Sequence, residues 1–233
     1  MHFAIFTRND DRRLEYILRC FEQIGISINL ILTTPPKNIP RKMKPTIFKL
    51  IRFNKNELNV TKGLNYPIAV VDNHSSDIAL NLLKRHSIDF IFISKAGIIK
   101  KNIIENSWQI INCHPGILPR YRGIGSCEWA VYENGPLGVT AHYVDRGIDT
   151  GSIIYRKVME PRSGETLREF RFRLDKVGAQ IFALIAYQMT ERIELNAEFQ
   201  DPNIGVLYTR KPALMEMQFI EKAFQRRRSI CTK

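Results

Sequence analysis

Over its first half the chain alternates short, predominantly apolar runs with segments whose apolar residues return every three or four positions. That alternation narrows the possible folds more than any other feature of the sequence. The apolar runs are residues 3–6, 26–32, 68–72, 88–94 and 108–113. Apolar runs with both faces apolar, separated by helices, read as strands of a parallel sheet covered on both sides. Between them, residues 10–24 place Leu14, Ile17, Leu18, Phe21 and Ile24 on one helical stripe, with Asp10 or Asp11 to cap the start and Gly25 to end it. A second helix is expected from Ser75 or Ser76 to His86, with Ile78, Leu82 and Leu83 on one side. The fold class is α/β: a doubly wound, mostly parallel sheet whose ligand site lies beyond the carboxyl ends of its strands.

Past Gly138 the pattern changes to two strands, 139–145 and 152–158, joined by a loop. A long helix follows from Ser163 or Gly164 to Glu191, its apolar positions Leu167, Phe170, Leu174, Val177, Ile181 and Leu184 stepping by three and four. The remainder reads as a small mixed appendage with a strand at 206–208 and an amphipathic stretch at 214–224. The expected division is a main domain over 1–192 and an appendage over 193–233, for dimerisation or substrate binding.

A content of 44% apolar and 10% aromatic residues excludes disorder as the dominant state. The richest apolar runs, 88–94 and 181–187, fall short of the ~18 residues a membrane helix needs. The first eight residues lack the basic n-region of a signal peptide. Cys20, Cys113, Cys127 and Cys231 are scattered without a C-x-x-C pair, so a reduced, cytoplasmic protein is expected. The net charge of +12 is uneven: residues 35–56 hold seven basic side chains and no acidic one, interrupted by Pro35, Pro36, Pro40 and Pro45, and Arg226, Arg227 and Arg228 form a second basic run. Such runs are either solvated surface or an attraction for a phosphorylated partner.

The chemistry concentrates at Ile110-Ile111-Asn112-Cys113-His114-Pro115-Gly116. Asn112 and His114, two apart on a strand, project to one face near the strand's carboxyl end, and Pro-Gly forces the turn beyond them. Cys113 points to the other face, as packing. Asp149 lies in the loop between the two later strands, where an Asp-Thr-Gly run could also serve simply as a turn. Together the three make a chemical unit. An amide and an imidazole stabilise an oxyanion, while a carboxylate orients the imidazole and takes a proton through water, which suits acyl transfer between nitrogens. His142 reads as structural, on the same side of its strand as Thr140 and Val144, and Trp129 as core on a short helix. His74 either reaches the site or merely begins the helix at Ser75.

The stretch Asn112-Cys113-His114-Pro115-Gly116-Ile117-Leu118-Pro119-Arg120-Tyr121-Arg122-Gly123 resembles the signature of the 10-formyltetrahydrofolate-dependent formyltransferases. Residues 138–151, GVTAHYVDRGIDTG, resemble that family's second signature, in the right order and at the right distance. The resemblance implies a formyltransferase-like Rossmann fold, with 1–192 as the catalytic domain. It also implies Asn112, His114 and Asp149 as the catalytic triad and 10-formyltetrahydrofolate as formyl-donor cosubstrate, with no metal. It assigns donor binding to Ser94, Ala96, Gly97, Ile98, Val144, Asp145 and Gly147, and substrate binding to His74, Tyr121 and Arg122, although Arg120 and Arg122 can equally be surface residues.

Four branches of that family differ in features visible here. Glycinamide ribonucleotide formyltransferases carry a Gly/Ser-rich phosphate loop after the first strand, where this chain has Thr7-Arg8-Asn9-Asp10-Asp11. Initiator-tRNA formyltransferases add a barrel domain, and formyltetrahydrofolate deformylases begin with a regulatory domain. Neither is expected here. The sugar-nucleotide N-formyltransferases, compact and with a short appendage, match best, and Gly123–Ala130 also looks similar to their corresponding stretch. The expectation is formylation of a nucleotide-linked, dTDP-type deoxyamino sugar in surface-polysaccharide (lipopolysaccharide O-antigen) synthesis, by a cytoplasmic homodimer with no membrane span and no nucleic-acid partner. The alternatives are another amine (glycinamide ribonucleotide, hydroxyornithine or initiator tRNA) or a non-catalytic binding protein on the same fold.

Overall fold

A computed structural model of the chain describes residues 1–35, 66–201 and 203–230. The basic stretch at 35–56 lies, apart from Pro35, outside the described residues, as does Cys231. The chain forms two compact units, residues 1–112 with 183–193, and residues 113–182 with 194–233.

In the first unit the expected alternation appears as β1 (Phe3–Arg8), α1 (Arg13–Gln23), β2 (Leu30–Thr34), β3 (Ile68–Val70), α2 (Asp77–Arg85), β4 (Phe90–Ile93), α3 (Lys101–Ile104) and β5 (Gln109–His114) up to Asn112. The strands lie in the order β3-β2-β1-β4-β5, every pairing parallel. The order reverses between β1 and β4, so the carboxyl ends of these two strands form the switch point of a doubly wound sheet. Wholly buried Phe3, Phe21 and Phe92 fill its core, with ring centroids 5.4–6.4 Å apart. The Ser76 side chain caps α2 by accepting from Ala79 N–H. The expected Asp cap of α1 is displaced by one residue: Asp11 Oδ1 accepts from Arg13 N–H at 3.2 Å while Arg12 occupies the cap position. Gly25, with φ of 71°, follows the end of α1 in the left-handed conformation that glycine favours.

The second unit holds the end of β5, β6 (Tyr121–Gly123), α4 (Ser126–Tyr132), β7 (Gly138–Tyr143), β8 (Ile153–Val158), the first part of α5 (Leu167–Thr190), β9 (Val206–Tyr208) and α6 (Leu214–Ile230). β7 and β8 are an antiparallel pair with a register shift between Ala141 and His142, and β6 pairs in parallel with β9. On α5, Leu167, Phe170, Leu174 and Ile181 are buried as expected, but Leu184 is 45% exposed. Phe170 packs against Phe224 of α6.

The stretch expected to stand apart as an appendage belongs with residues 113–182. Its strand β9 completes a ribbon with β6, and its basic run is partly absorbed by internal bonds. Arg227 grips Glu160 through two nitrogens at 2.9 and 3.0 Å, and Arg228 Nη1 donates to the Glu165 carbonyl. No helix among the described residues is long and apolar enough to cross a membrane.

Candidate active site

β5 carries Asn112 and His114 two residues apart on one strand, as expected. The His114 imidazole is 4% exposed and held at both nitrogens. Nε2–H donates to the Tyr121 carbonyl at 2.7 Å, and Nδ1 lies 3.3 Å from Asp149 Oδ2. Asp149 Oδ2 also accepts from Gly123 N–H at 2.8 Å. The carboxylate and imidazole are therefore locked to two backbone groups of β6. With Nε2–H given to the carbonyl, Nδ1 is the nitrogen that faces the carboxylate. Burial pushes His114 below its ordinary range, while the Asp149 charge and the Tyr121 carbonyl act in the opposite sense. Burial also works against the Asp149 charge, but His114, His142 and Gly123 N–H outweigh it and hold that carboxyl well below the usual carboxylate range.

Asp149 is not its own turn-former. Asp145 closes the loop instead, its Oδ1 accepting from Gly147 N–H at 3.0 Å and Thr150 Oγ1 at 2.6 Å. This frees the Asp149 side chain, whose backbone sits at φ of 55°, a conformation aspartate tolerates better than most residues. Gln200 Nε2 donates to the carbonyls of Asp149 and Gly151 from the far side of the loop.

His142, expected to be structural, is brought to the same carboxylate. It is 2% exposed, and its Nε2 is 3.5 Å from Asp149 Oδ1 while Nδ1 meets the Tyr143 carbonyl at 2.7 Å. A register shift lies beside it, between Ala141 and His142. Thr140 keeps its inward place and anchors the turn after β5, donating to the Gly116 carbonyl and accepting from Leu118 N–H. Cys113 Sγ faces the Gly178 carbonyl on α5, a packing role as expected.

The other expected contacts divide. Tyr121 is wholly buried and stacked near Tyr208, and its carbonyl holds His114. His74 is 4% exposed, its ring 4.8 Å from Phe6 and its Nε2 on the Leu32 carbonyl, so it packs the first unit rather than facing a ligand. Ser94 is tied to its surroundings: its N–H donates to the Phe6 carbonyl, its carbonyl accepts from Arg13, and its hydroxyl donates to Asp11 at 2.6 Å. In that loop Gly97 is exposed, Ala96 is half-buried and Ile98 is 85% exposed. Asp145 and Gly147 are exposed and Val144 is half-buried, beside Ile148 at 45% exposure. Arg122 is half-buried, and its buried Nε has no hydrogen-bond partner among the described residues. Trp129 is core, stacked 4.9 Å from Tyr208. Among the described residues no group of three or more His, Cys, Asp or Glu side chains could hold a metal ion.

A sequence profile of the formyl transferase family matches residues 41–185. The methionyl-tRNA formyltransferase of Halothermothrix orenii is 26% identical over 76% of this chain and 55% of its own length. The chain spans about half the length of the curated relatives it matches. Among solved structures, a sugar N-formyltransferase from a Shewanella species superposes with a TM-score of 0.64 at 13% identity, over 96% of this chain and 88% of that one. A formyltransferase from Anoxybacillus kamchatkensis, solved with a UDP-linked formamido sugar and tetrahydrofolate, gives a TM-score of 0.51 at 22% identity, over 78% and 86%.

Proposed function

The chain belongs to the formyl transferase family, and from that premise we propose that it is an N-formyltransferase. It moves the formyl group of 10-formyltetrahydrofolate to the amine of a nucleotide-linked deoxyamino sugar, with dTDP as the expected nucleotide. The observation that carries the reaction is the buried His114–Asp149 pair, clamped by Tyr121 carbonyl and Gly123 N–H.

In this reading the neutral amine attacks the formyl carbon, forming the new C–N bond and placing charge on the formyl oxygen. Protonated His114 and the Asn112 amide stabilise that oxyanion. Asp149 accepts the ammonium proton through water, and collapse of the intermediate breaks the bond to N10, which takes a proton as it leaves. Ala96, Gly97, Ile98, Val144, Asp145 and Gly147 are the proposed donor contacts, and Arg122 the proposed substrate contact.

The acceptor assignment is supported by the turn after β1. Its guanidinium groups are already engaged, Arg8 with Asp10 and Arg13 with Asp11, and it offers no glycine run to cradle a ribonucleotide phosphate. A second reading, formylation of initiator tRNA, is favoured by the sequence relationship to the methionyl-tRNA enzyme. We also propose a homodimer through the C-terminal stretch, supported by exposed Leu214, Met215 and Phe219 of α6.

The test is a turnover assay with 10-formyltetrahydrofolate and a panel of amino-sugar nucleotides, glycinamide ribonucleotide, hydroxyornithine and methionyl-tRNA. Tetrahydrofolate release is followed optically and products by mass. One formyl group gained by an amino-sugar nucleotide, and lost in His114→Ala, is the expected result. Transfer only to tRNA or another amine overturns the acceptor. No transfer and no folate binding overturn the whole reading. Light scattering at micromolar concentration decides the dimer.

A further inference from the structure

β6 is a strand with two occupied edges. Toward one edge, the Arg120 carbonyl accepts from Val206 N–H at 3.0 Å and Ile124 N–H donates to the Tyr208 carbonyl at 2.8 Å, the ladder to β9. Successive backbone groups of a strand face opposite edges. The Tyr121 carbonyl and Gly123 N–H therefore point away from β9, and there they meet His114 and Asp149 instead of another strand. Imidazole and carboxylate dock where a third strand would pair.

The hold is reinforced from the same C-terminal stretch. The Tyr208 ring is stacked between Trp129, at 4.9 Å and 13°, and Tyr121, at 6.3 Å and 23°. The Arg210 guanidinium covers the outer face of this stack, 5.0 Å from the Trp129 ring. Gly205 has φ of 84°, and a Cβ there would strike the Pro119 carbonyl, so β9 enters against the backbone just ahead of β6. Buried Gln200 meanwhile grips the Asp149 loop at two carbonyls. One stretch of chain thus fastens both the strand that holds His114 and the loop that carries Asp149.

We infer that Gln200 and Tyr208 are positioning residues, which set the spacing of His114 and Asp149 by fixing β6 and the 145–151 loop, so that the C-terminal stretch works as part of the active site without touching substrate. The turnover arm of the test rests on the formyl-transfer reading; the spectroscopic arm does not.

The experiment compares wild type with Tyr208→Ala, Tyr208→Phe and Gln200→Ala in the full chain. Nitrogen-15 spectra of the histidine rings are recorded across pH, with the His114 signals identified by their loss in His114→Asn. In Tyr208→Ala and Gln200→Ala the His114 titration midpoint is expected to rise toward that of an ordinary imidazole as water reaches the ring. The kcat is expected to fall about tenfold or more with KM little changed, since small displacements of reacting groups are costly. Tyr208→Phe keeps the stack and restores both. Unchanged His114 signals in Tyr208→Ala and Gln200→Ala, in protein that still melts cooperatively, overturn the inference whatever happens to turnover. If Tyr208→Ala fails to melt cooperatively, Gly205→Ala carries the same comparison. A wild type that transfers no formyl group refutes the catalytic reading and leaves the spectra to decide the positioning role.

Discussion

The N–H of Gly123 and the carboxylate of Asp149 meet at 2.8 Å across 26 residues of chain, joining the end of one signature stretch to the end of the other. Gly123 has φ of 84°, and a Cβ would collide with the Tyr208 carbonyl. Gly123→Ala therefore strains the backbone and pushes β6 off β9. A destabilisation of about 1–3 kcal/mol is expected, read from denaturant unfolding, together with loss of turnover.

Asp149→Asn preserves shape and removes the charge. The kcat is expected to fall by about 10²–10⁴, as for loss of a general base, with donor binding retained in a titration.

The same residue shapes acid stability. The folded carboxyl titrates below its unfolded value of about 3.9, so its contribution is fully present above that pH and is lost as pH falls toward the folded value. Between pH 5 and pH 3 the wild type is expected to lose more unfolding free energy than Asp149→Asn. Equal losses would show that the charge is not stabilised in the folded state.

His142→Gln removes one of the two imidazoles facing Asp149. About a tenfold loss of kcat is expected, with a displaced pH–rate profile. An unaltered profile would return His142 to a packing role.

His74 behaves oppositely to Asp149. Burial against Phe6 lowers its pKa below the unfolded value of about 6.5, so below that pH the unfolded chain takes up a proton that the folded one resists. Stability contributed by the neutral ring is therefore lost on acidification from about pH 6.5, and His74→Gln is expected to flatten part of the fall in Tm between pH 7 and pH 5.

Much of this was legible in the sequence. The strands and helices of the first unit follow from apolar runs and three- and four-residue steps, because burial on both faces leaves no room for polar alternation. Asn112, His114 and Asp149 stand out as polar residues where a strand end and a turn put them. What was hidden depends on backbone. β6 is only Tyr-Arg-Gly, with no periodicity to mark a strand, and its contribution is a carbonyl and an N–H that no side chain reports. The approach of His142 to Asp149 has no sequence sign, because it depends on where the 145–151 loop carries the carboxylate. Tyr121 and His74 carry polar tips that invite a binding role, yet both rings are consumed in packing. The grouping of 194–233 with 113–182 has no local sign either, because the contacts between β6 and β9 join residues distant in sequence.

The second unit is sewn from two separate lengths of chain, 113–182 and 194–233, with β6 in one and β9 in the other. This has a consequence for inheritance. A tail exchanged between diverging copies of the gene would arrive without the strand it must pair with, and the lesion would surface at His114 and Asp149, far along the sequence from the splice. A substitution in 119–124 or 205–210 that disturbs the pairing of β6 with β9 thus reaches His114 and Asp149 through backbone alone.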